Sequence, residues 1–291
     1  MAIIMDGVAV ANLILEDVKN DLADLKTKCR VDIVVKLVVV LVGHNAASLI
    51  YVNNKIKKAK HVGMDSEIIK LDESVQENEL LDVIDNLNNN SNVCGIIVQL
   101  PLPSHINYSN VITRISPEKD VDGFHPLNIG YLNIGLNQGF IASTALGCLH
   151  LLKHYVGDLK GKNVVIIGRS NIVGKPLATL LLQNNCTVSI CHSFTRNLSD
   201  YTTSADIVIS AVGKPAFLTK EYFSANLAFV DVGINYIVDE SGKQALIGDG
   251  DFIQIRELVS FITPVPGGVG PMTIAYLIKN TLTAAARLLR G

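Results

Sequence analysis

Short apolar runs alternate along the chain with longer segments in which apolar residues recur every three or four positions. The first pattern predicts buried strands and the second predicts helices with one buried face. In the first half, the predicted helices cover residues 9–26, 46–62 and 77–88, and the predicted strands cover 35–42, 66–70 and 93–100. Strands that are apolar on both faces and separated by helices are typical of a parallel α/β sheet.

A second series of the same kind begins after residue 140. Its predicted helices cover 144–154, 174–184 and 271–289, and its predicted strands cover 163–167, 187–191, 206–212 and 228–232. The pattern therefore predicts two α/β domains that meet near residues 140–145.

Length, charge and cysteine use narrow the class of protein. The 291 residues suffice for two cores, and a net charge of -2 gives no broad footprint for nucleic acid or an anionic membrane. The apolar run 33–42 contains Lys36 and is shorter than the ~20 residues of a spanning helix. The five cysteines are scattered without metal-ligand spacing, and the N-terminus lacks a charged leader, so we expect a cytoplasmic protein without metal.

A glycine-bounded loop in the second half is a candidate nucleotide site. The strand 163–167 runs into residues 168–174 (GRSNIVG), which lead into an amphipathic helix. Gly168 permits a tight turn and Gly174 permits close backbone approach, so exposed N–H groups and the helix dipole would favour an anion. Ser170 occupies the second glycine position of the usual fingerprint, and a tight turn without ligand remains an equal alternative.

The residues that follow two later strands indicate which cofactor the loop would bind. The strand 187–191 is followed by Ser193 and Arg196 without an acidic residue, and Arg169 is expected nearby. An acid there would bind a free ribose 2′-hydroxyl, whereas these groups suit a 2′-phosphate. The sequence thus favours NADP over NAD, with a solvated polar loop as the alternative. Residues 231–235 (DVGIN) also end a strand, where ligand contacts are expected.

Three side chains in the first half suggest acid/base chemistry. Tyr51 and Lys55 lie four apart on a predicted helix and therefore share a face, although several neighbouring lysines also fit a solvated surface. A partly desolvated lysine can act as an acid or base near neutral pH. Gln99 ends an apolar strand and can bind a lysine and a ligand, or simply cap the following loop.

Two further segments offer ligand contacts. Residues 119–126 (KDVDGFHP) can form a solvated turn, bind a metal, for which no companion ligand cluster is present, or present a carboxylate to paired N–H donors of a heterocycle such as a pterin. Residues 263–273 (TPVPGGVGPMT) form a rigid loop that enters a helix at Pro271. Its glycines permit close approach to a flat ligand, with a purely structural turn as the alternative.

Together these segments resemble the bifunctional methylenetetrahydrofolate dehydrogenase/methenyltetrahydrofolate cyclohydrolase family. The motifs occur in the family's order and span nearly the whole chain. They are Tyr51 with Lys55, 95–103 (GIIVQLPLP), 119–126, 168–176 (GRSNIVGKP), 231–235 and 263–273.

The resemblance implies a bacterial-type cytoplasmic homodimer of one-carbon metabolism. It implies an N-terminal catalytic domain (1–142 plus 271–291, with the last helix returning to it) and a Rossmann-like NAD(P) domain (143–270). It also implies NADP-dependent oxidation of 5,10-methylenetetrahydrofolate and hydrolysis of the methenyl product to 10-formyltetrahydrofolate. By resemblance, the catalytic residues are Lys55, Tyr51 and Gln99, the folate contacts are Tyr51, Asp122, Pro266, Gly267 and Gly268, and the cofactor contacts are Gly168, Arg169, Ser170, Ser193 and Ile234.

One segment departs from the family pattern. The family usually has Pro-Cys-Thr-Pro-x-Gly where this chain has residues 142–147 (ASTALG), which lack both prolines and the cysteine. A looser hinge there would affect cofactor affinity and rate. Two other hypotheses stay open at this point: a dehydrogenase of another small metabolite, which would not need the Gln99 and Asp122 motifs, and a binding protein that has lost catalysis.

Overall fold

The computed structural model describes residues 1–29, 34–238 and 244–289. In chain order its strands are β1 (Ile3–Ile4), β2 (Lys36–Val42), β3 (Asp65–Leu71), β4 (Val93–Val98), β5 (Asn163–Ile167), β6 (Thr187–Cys191), β7 (Ile207–Ser210), β8 (Ala228–Asp231), β9 (Asn235–Val238), β10 (Gln244–Ile247) and β11 (Phe261–Ile262). Its α-helices are α1 (Gly7–Cys29), α2 (Ala46–His61), α3 (Glu77–Asn89), α4 (Tyr108–Arg114), α5 (Pro126–Asn133), α6 (Ser143–Tyr155), α7 (Gly174–Gln183), α8 (Leu198–Thr202), α9 (Phe252–Ile255) and α10 (Val269–Leu288). None of the helices within these ranges is long and apolar enough to cross a membrane.

The chain forms two compact units, each discontinuous in sequence. The three-stranded unit comprises Asn12–Ser143 and Ile274–Gly291. The six-stranded unit comprises Met1–Ala11 and Thr144–Thr273. The chain passes from one unit to the other within α1, at the start of α6 and within α10.

The three-stranded unit is built on a parallel sheet in the order β3-β2-β4. Both β4 and the run Leu37–Val42 of β2 are fully buried, as expected for β-branched strands that are covered on both faces. In α3, Leu80, Ile84 and Leu87 recur at helical spacing and pack into the core with Val38, Val40 and Ile96. The α/β architecture with a parallel sheet that the sequence predicts is therefore present in this unit.

The six-stranded unit contains a parallel sheet in the order β1-β11-β8-β7-β5-β6 and a separate antiparallel pair, β9 with β10. Its core includes Val165, Val208 and Phe229 from the central strands. Because the strands are parallel, their carboxyl ends lie along one edge of the sheet. Ligands of open α/β sheets bind at this edge.

The compact units differ from the predicted domain bounds at both ends of the chain. Residues 1–11 were expected in the first domain, but they belong to the six-stranded unit because β1 pairs with β11 at the sheet edge. At the other end, α10 begins at Val269 rather than at residue 271. The part of α10 from Ile274 onward belongs to the three-stranded unit, so the predicted return of the last helix is confirmed.

Candidate active site

Lys55 lies on α2, whose sequence contains several lysines of different exposure. Asn45 caps the start of this helix by accepting a hydrogen bond from the Ser48 N–H at 3.0 Å. Lys55 is only 7% exposed, whereas Lys57 and Lys60 are exposed. The solvated-face interpretation of the helix therefore fails at Lys55 alone, since this ammonium group points into the unit.

Gln99 is the hydrogen-bond partner of that lysine. It follows β4 directly, and its backbone N–H still donates to Val40 O at 2.9 Å. The Lys55 Nζ donates to Gln99 Oε1 at 3.0 Å, while Gln99 Nε2 donates to Leu100 O at 2.8 Å. The two alternatives for Gln99 are thus combined, because one end of the amide caps the loop backbone and the other orients the lysine.

Asp122 reaches the same place because residues 119–122 lie beside β4. The N–H of Ile96 donates to Lys119 O at 2.8 Å, and Gly95 makes room for Val121, whose methyl groups would lie 2.9 Å from a Cβ at residue 95. Gly123 then turns the chain with a φ of +74°. The result places the carboxylate of Asp122 within electrostatic range of Lys55.

The electrostatics of this pair favour proton movement. Burial lowers the pKa of Lys55, and the charge of Asp122 opposes part of that effect. Burial raises the pKa of Asp122, and the charge of Lys55 again opposes it. The pKa of the lysine is lowered and that of the aspartate is raised, so the two values approach each other, as is common where a site moves a proton.

Asp122 is a free acceptor, in contrast to the aspartate beside it. Asp120 is buried and accepts hydrogen bonds from His125 N at 2.7 Å and from Asn128 Nδ2 at 2.8 Å. The partly buried Asp122 carboxylate has no hydrogen-bond donor within the part of the chain that the structure describes. It is therefore available to N–H groups of a ligand, and the solvated-turn alternative does not describe it.

Two neighbours of the site were not singled out in the sequence. Tyr108 on α4 is partly buried, and its pKa is raised by burial and by the charges of Asp120 and Asp122. Lys119 is buried, and its Nζ donates to the carbonyls of Leu87, Asn88 and Asn90 at 3.1, 2.7 and 2.7 Å. Lys119 thus closes the end of α3, whereas Tyr108 adds a hydroxyl near the paired aspartates.

The remaining predicted folate contacts lie in both units. Tyr51 is partly buried on α2, one turn before Lys55. Pro266, Gly267 and Gly268 belong to the six-stranded unit, where Gly268 packs so closely that a Cβ at Gly7 would lie 1.8 Å from its carbonyl oxygen. The glycines of this loop therefore have a packing role of their own.

The glycine loop after β5 (residues 168–174, the glycine cradle) is tightly packed at both of its glycines. Gly168 has a φ of +125°, and a Cβ there would lie 2.5 Å from Ala211 O. A Cβ at Gly174, the first residue of α7, would lie 2.2 Å from Gly168 O. Only glycine fits either position, and the closeness of the turn to the start of α7 suits a pyrophosphate.

Ser170 reduces the number of loop N–H groups that are exposed for an anion. Its Oγ accepts hydrogen bonds from the N–H groups of Val173 at 3.2 Å and Gly174 at 3.4 Å. Two of the donors expected to be exposed at the start of α7 are therefore bound by the serine, because Ser170 replaces the glycine of the usual fingerprint. The hydroxyl of Ser170 and the remaining loop N–H groups are the donors left for an anion.

The groups proposed for a 2′-phosphate lie on the surface. Arg169, Ser193 and Arg196 are exposed, and the Arg169 guanidinium lies 5.9 Å from the ring centroid of Phe194. Residues 192–197, which follow β6, contain no acidic side chain. The chemistry of this strand end therefore fits a phosphate better than a ribose hydroxyl pair.

Ile234, the last predicted cofactor contact, is flanked by residues that bind two buried aspartates. Asp231 accepts from Gly233 N at 2.9 Å, and Asp249 accepts from Asn235 Nδ2 at 3.1 Å. Burial raises the pKa of Asp231 to about 7, against the effect of its N–H donors. Sequence reasoning assigned no role to Asp249, although the alternation of glycine and aspartate at 248–251 marks an unusual turn.

Comparison with known families covers both units. Residues 5–122 match the model of the tetrahydrofolate dehydrogenase/cyclohydrolase catalytic domain. Residues 142–289 match the model of the NAD(P)-binding domain of the same family.

Individual relatives agree with the family match. The chain is 64% identical to the bifunctional protein FolD of Orientia tsutsugamushi (strain Ikeda) over 98% of this chain and 94% of that protein. The crystal structure of the Campylobacter jejuni FolD dehydrogenase/cyclohydrolase has a TM-score of 0.93 at 47% identity and covers 99% of each chain. The Trypanosoma brucei enzyme, complexed with NADP cofactor and inhibitor, has a TM-score of 0.95 at 35% identity and covers 100% of this chain and 99% of that one. With its buried lysine, its glycine cradle and these relatives, the chain belongs to the tetrahydrofolate dehydrogenase/cyclohydrolase family.

Proposed function

We propose that the chain oxidises 5,10-methylenetetrahydrofolate to the methenyl form and hydrolyses that product to 10-formyltetrahydrofolate. The observation that carries the proposal is the buried Lys55, tied to Gln99 and close to Asp122 in the three-stranded unit. Membership of the family provides both activities. The free carboxylate of Asp122 provides an acceptor for the N–H groups of a pterin ring.

Each side chain of this group has a distinct task in the hydrolysis. The methenyl carbon is already an iminium-like electrophile, so the protein must position a water and take up the proton that the water loses. Lys55, whose pKa is lowered by burial, serves as that proton acceptor. Gln99 holds the amine of Lys55 in one orientation. Asp122 binds the pterin, and its charge limits the fall of the lysine pKa.

The oxidation needs a hydride acceptor, and NADP supplies that chemistry when bound. We propose that the six-stranded unit binds it, with residues 143–270 as the NAD(P) domain and residues 1–142 with 271–291 as the folate domain, apart from the displaced first residues. Gly168 and Ser170 would contact the pyrophosphate, Arg169 and Ser193 the 2′-phosphate, and Ile234 the nicotinamide half. By the family resemblance we also propose Tyr51 as a folate contact in the three-stranded unit, and Pro266, Gly267 and Gly268 as folate contacts in the six-stranded unit.

The direct test is an absorbance assay with methylenetetrahydrofolate and NADP. Reduced cofactor should accumulate while the methenyl form decays. In Lys55→Met, cyclohydrolase activity should fall by about 100-fold or more, since general acid–base catalysis contributes on that order. NADP affinity should stay within about twofold of the wild-type value, because Lys55 and the cradle lie in different units.

Lys57→Met is the matched control, because Lys57 lies on the same helix but is exposed. It should retain both activities. Near-normal hydrolysis by Lys55→Met would remove this lysine from its assigned task. Binding of folate and NADP without any turnover by the wild-type chain would instead favour a protein that has lost catalysis.

Cofactor choice has its own test. Arg169→Ala should weaken NADP binding by about tenfold, as expected for the loss of one charge-assisted hydrogen bond. NAD, which lacks the 2′-phosphate, should lose less than about twofold on the same basis. Lys160→Ala, an exposed lysine of the same unit, serves as the control and should change neither affinity. Equal weakening of the two cofactors in Arg169→Ala would count against a 2′-phosphate contact.

The family resemblance also leads us to propose a homodimer that works in the cytoplasm as part of one-carbon metabolism. Sedimentation equilibrium of the purified chain measures the oligomeric state directly. A monomer at micromolar concentration would contradict that part of the proposal.

A further inference from the structure

Asp249 is a fully buried residue whose carboxylate accepts several hydrogen bonds from the loop after β7. It is 0% exposed and accepts hydrogen bonds from the N–H groups of Val212, Gly213 and Lys214 at 2.8, 3.3 and 2.9 Å. Ser210 Oγ adds a further bond at 2.9 Å. Consecutive N–H groups thus converge on one anion at the carboxyl end of β7.

A second buried carboxylate interlocks with the first. Asp231, the last residue of β8, accepts from the N–H groups of Gly233, Asp249 and Gly250 at 2.9, 3.0 and 2.8 Å. A Cβ at Gly233 would lie 2.1 Å from Asp249 Oδ1, and one at Gly248 would lie 2.2 Å from Asp231 Oδ2. Glycine is therefore required at positions 233 and 248, because any side chain there would collide with a buried carboxylate.

The two aspartates hold the residues on both sides of Ile234, one through a backbone N–H and the other through a side-chain amide. Gly233 N donates to Asp231 Oδ1, and Asn235 Nδ2 donates to Asp249 Oδ1 at 3.1 Å. Ile234 itself is 36% exposed, so the segment presents a side chain outward while its neighbours are held from within. The proposed reaction uses neither carboxylate, and burying two of them is costly unless they are fully hydrogen-bonded.

We propose that Asp249 is a positioning residue for the dinucleotide: its carboxylate sets the geometry of residues 212–214 and, through Asn235, of Ile234 at the edge of the sheet. Ligands of open α/β sheets contact the segments that follow adjacent strands, and these are the segments after β7 and β8. The inference rests on the proposed function, since it assumes that this edge binds NADP. It adds a residue that does not touch the cofactor but determines how tightly the cofactor binds.

The variant Asp249→Asn tests the inference because it keeps the shape of the side chain. Either orientation of the amide turns its NH₂ group toward N–H or O–H donors that now bind the carboxylate, so the loop must shift. We expect the Kd and the KM for NADP to rise by about tenfold or more. Cyclohydrolase kcat on the methenyl substrate should remain within about twofold, because Lys55 lies in the other unit and hydrolysis needs no hydride acceptor.

Asp251→Asn provides the matched control within the same segment. Asp251 caps α9 by accepting from Gln254 N at 3.2 Å, a task that asparagine also performs, so both activities should be retained. Unchanged NADP affinity in a folded Asp249→Asn protein would overturn the inference, as would equal loss of both activities.

If Asp249→Asn does not fold, Asn235→Ala decides the question. It removes only the donor beside Ile234, and NADP affinity should then fall several-fold with cyclohydrolase retained. Wild-type affinity in Asn235→Ala would overturn the inference. Failure of the proposed function itself would be seen earlier, as absent turnover or absent NADP binding in the wild-type chain.

Discussion

Ser143 has a hydroxyl group that is buried without a hydrogen-bond partner among the described residues. It is 1% exposed, and its Oγ has no hydrogen-bond partner within the described ranges, the one buried side-chain polar atom there of which this is true. It lies at the start of α6, in the segment where the family pattern usually has cysteine. A thiol tolerates an apolar environment better than a hydroxyl does, so the exchange leaves an unsatisfied donor.

Ser143→Ala should therefore stabilise the protein. Removing an unpaired buried hydroxyl avoids a desolvation penalty of about 1–3 kcal/mol, offset in part by the small cavity left behind. Ser143→Cys should stabilise it similarly. Thermal melting of both variants measures the effect.

The control is Ser210→Ala, which removes a buried hydroxyl that donates to Asp249 at 2.9 Å and should lower the melting temperature. A loss of stability in both alanine variants would show that Ser143 has a partner after all.

Some residues of the candidate site could be predicted from the sequence, and others could not. The types and spacing of Lys55, Gln99 and Asp122 were enough to suggest a site. The sequence could not show that Lys55 is buried while Lys57 is exposed, because exposure depends on which helix face packs against the sheet. For the same reason the roles of Lys119 and Asp249 were missed, since both bind backbone groups far away in sequence.

At the scale of helices and strands, strong periodic signals were predictable and short elements were not. The long buried strands β2 and β5 and the amphipathic helix α3 lie within one or two residues of their predicted bounds. The strand predicted over 93–100 ends at Val98, because Gln99 turns its side chain to Lys55 while the chain enters a proline-rich loop.

The elements that were missed are stabilised by distant partners rather than by their own pattern. The two-residue strand β1 exists because it pairs with β11, more than 250 positions along the chain. The short helices α4 and α5 have too few residues to show a period, and their caps at Asn107 and His125 are the local signals that could have located them. The positions of such short elements thus depend on contacts with distant parts of the chain, which local sequence patterns do not show.

At the scale of the whole molecule, neither unit is a continuous stretch of chain. The three-stranded unit needs α10, where Asn280 Nδ2 donates to Val121 O at 2.9 Å and to Ile141 O at 3.1 Å. Val121 directly precedes Asp122, and Ile141 lies just before the start of α6. The lysine site therefore depends on residues more than 150 positions away in sequence, as a discontinuous domain requires.

A chain that ends at Thr273 should retain NADP binding but lose cyclohydrolase activity. It keeps every residue of the six-stranded unit, including the core around Val165, Val208 and Phe229, so NADP should bind within about threefold of the full-length value. It loses several buried side chains of α10, among them Leu277 and Ile278. At about 1.5–3 kcal/mol each, their loss is comparable with the whole stability of a domain, so cyclohydrolase activity should disappear.

A chain that ends at Leu288 keeps all of α10 and is the control for truncation as such. It should bind NADP and hydrolyse the methenyl substrate like the full-length protein, because the buried contacts of the helix are intact. Fluorescence titration with reduced NADP and the cyclohydrolase assay measure the two properties on the same samples. Hydrolysis by the chain that ends at Thr273 would mean that the lysine site forms without α10. Loss of NADP binding in that chain would mean that the six-stranded unit cannot fold from its own residues.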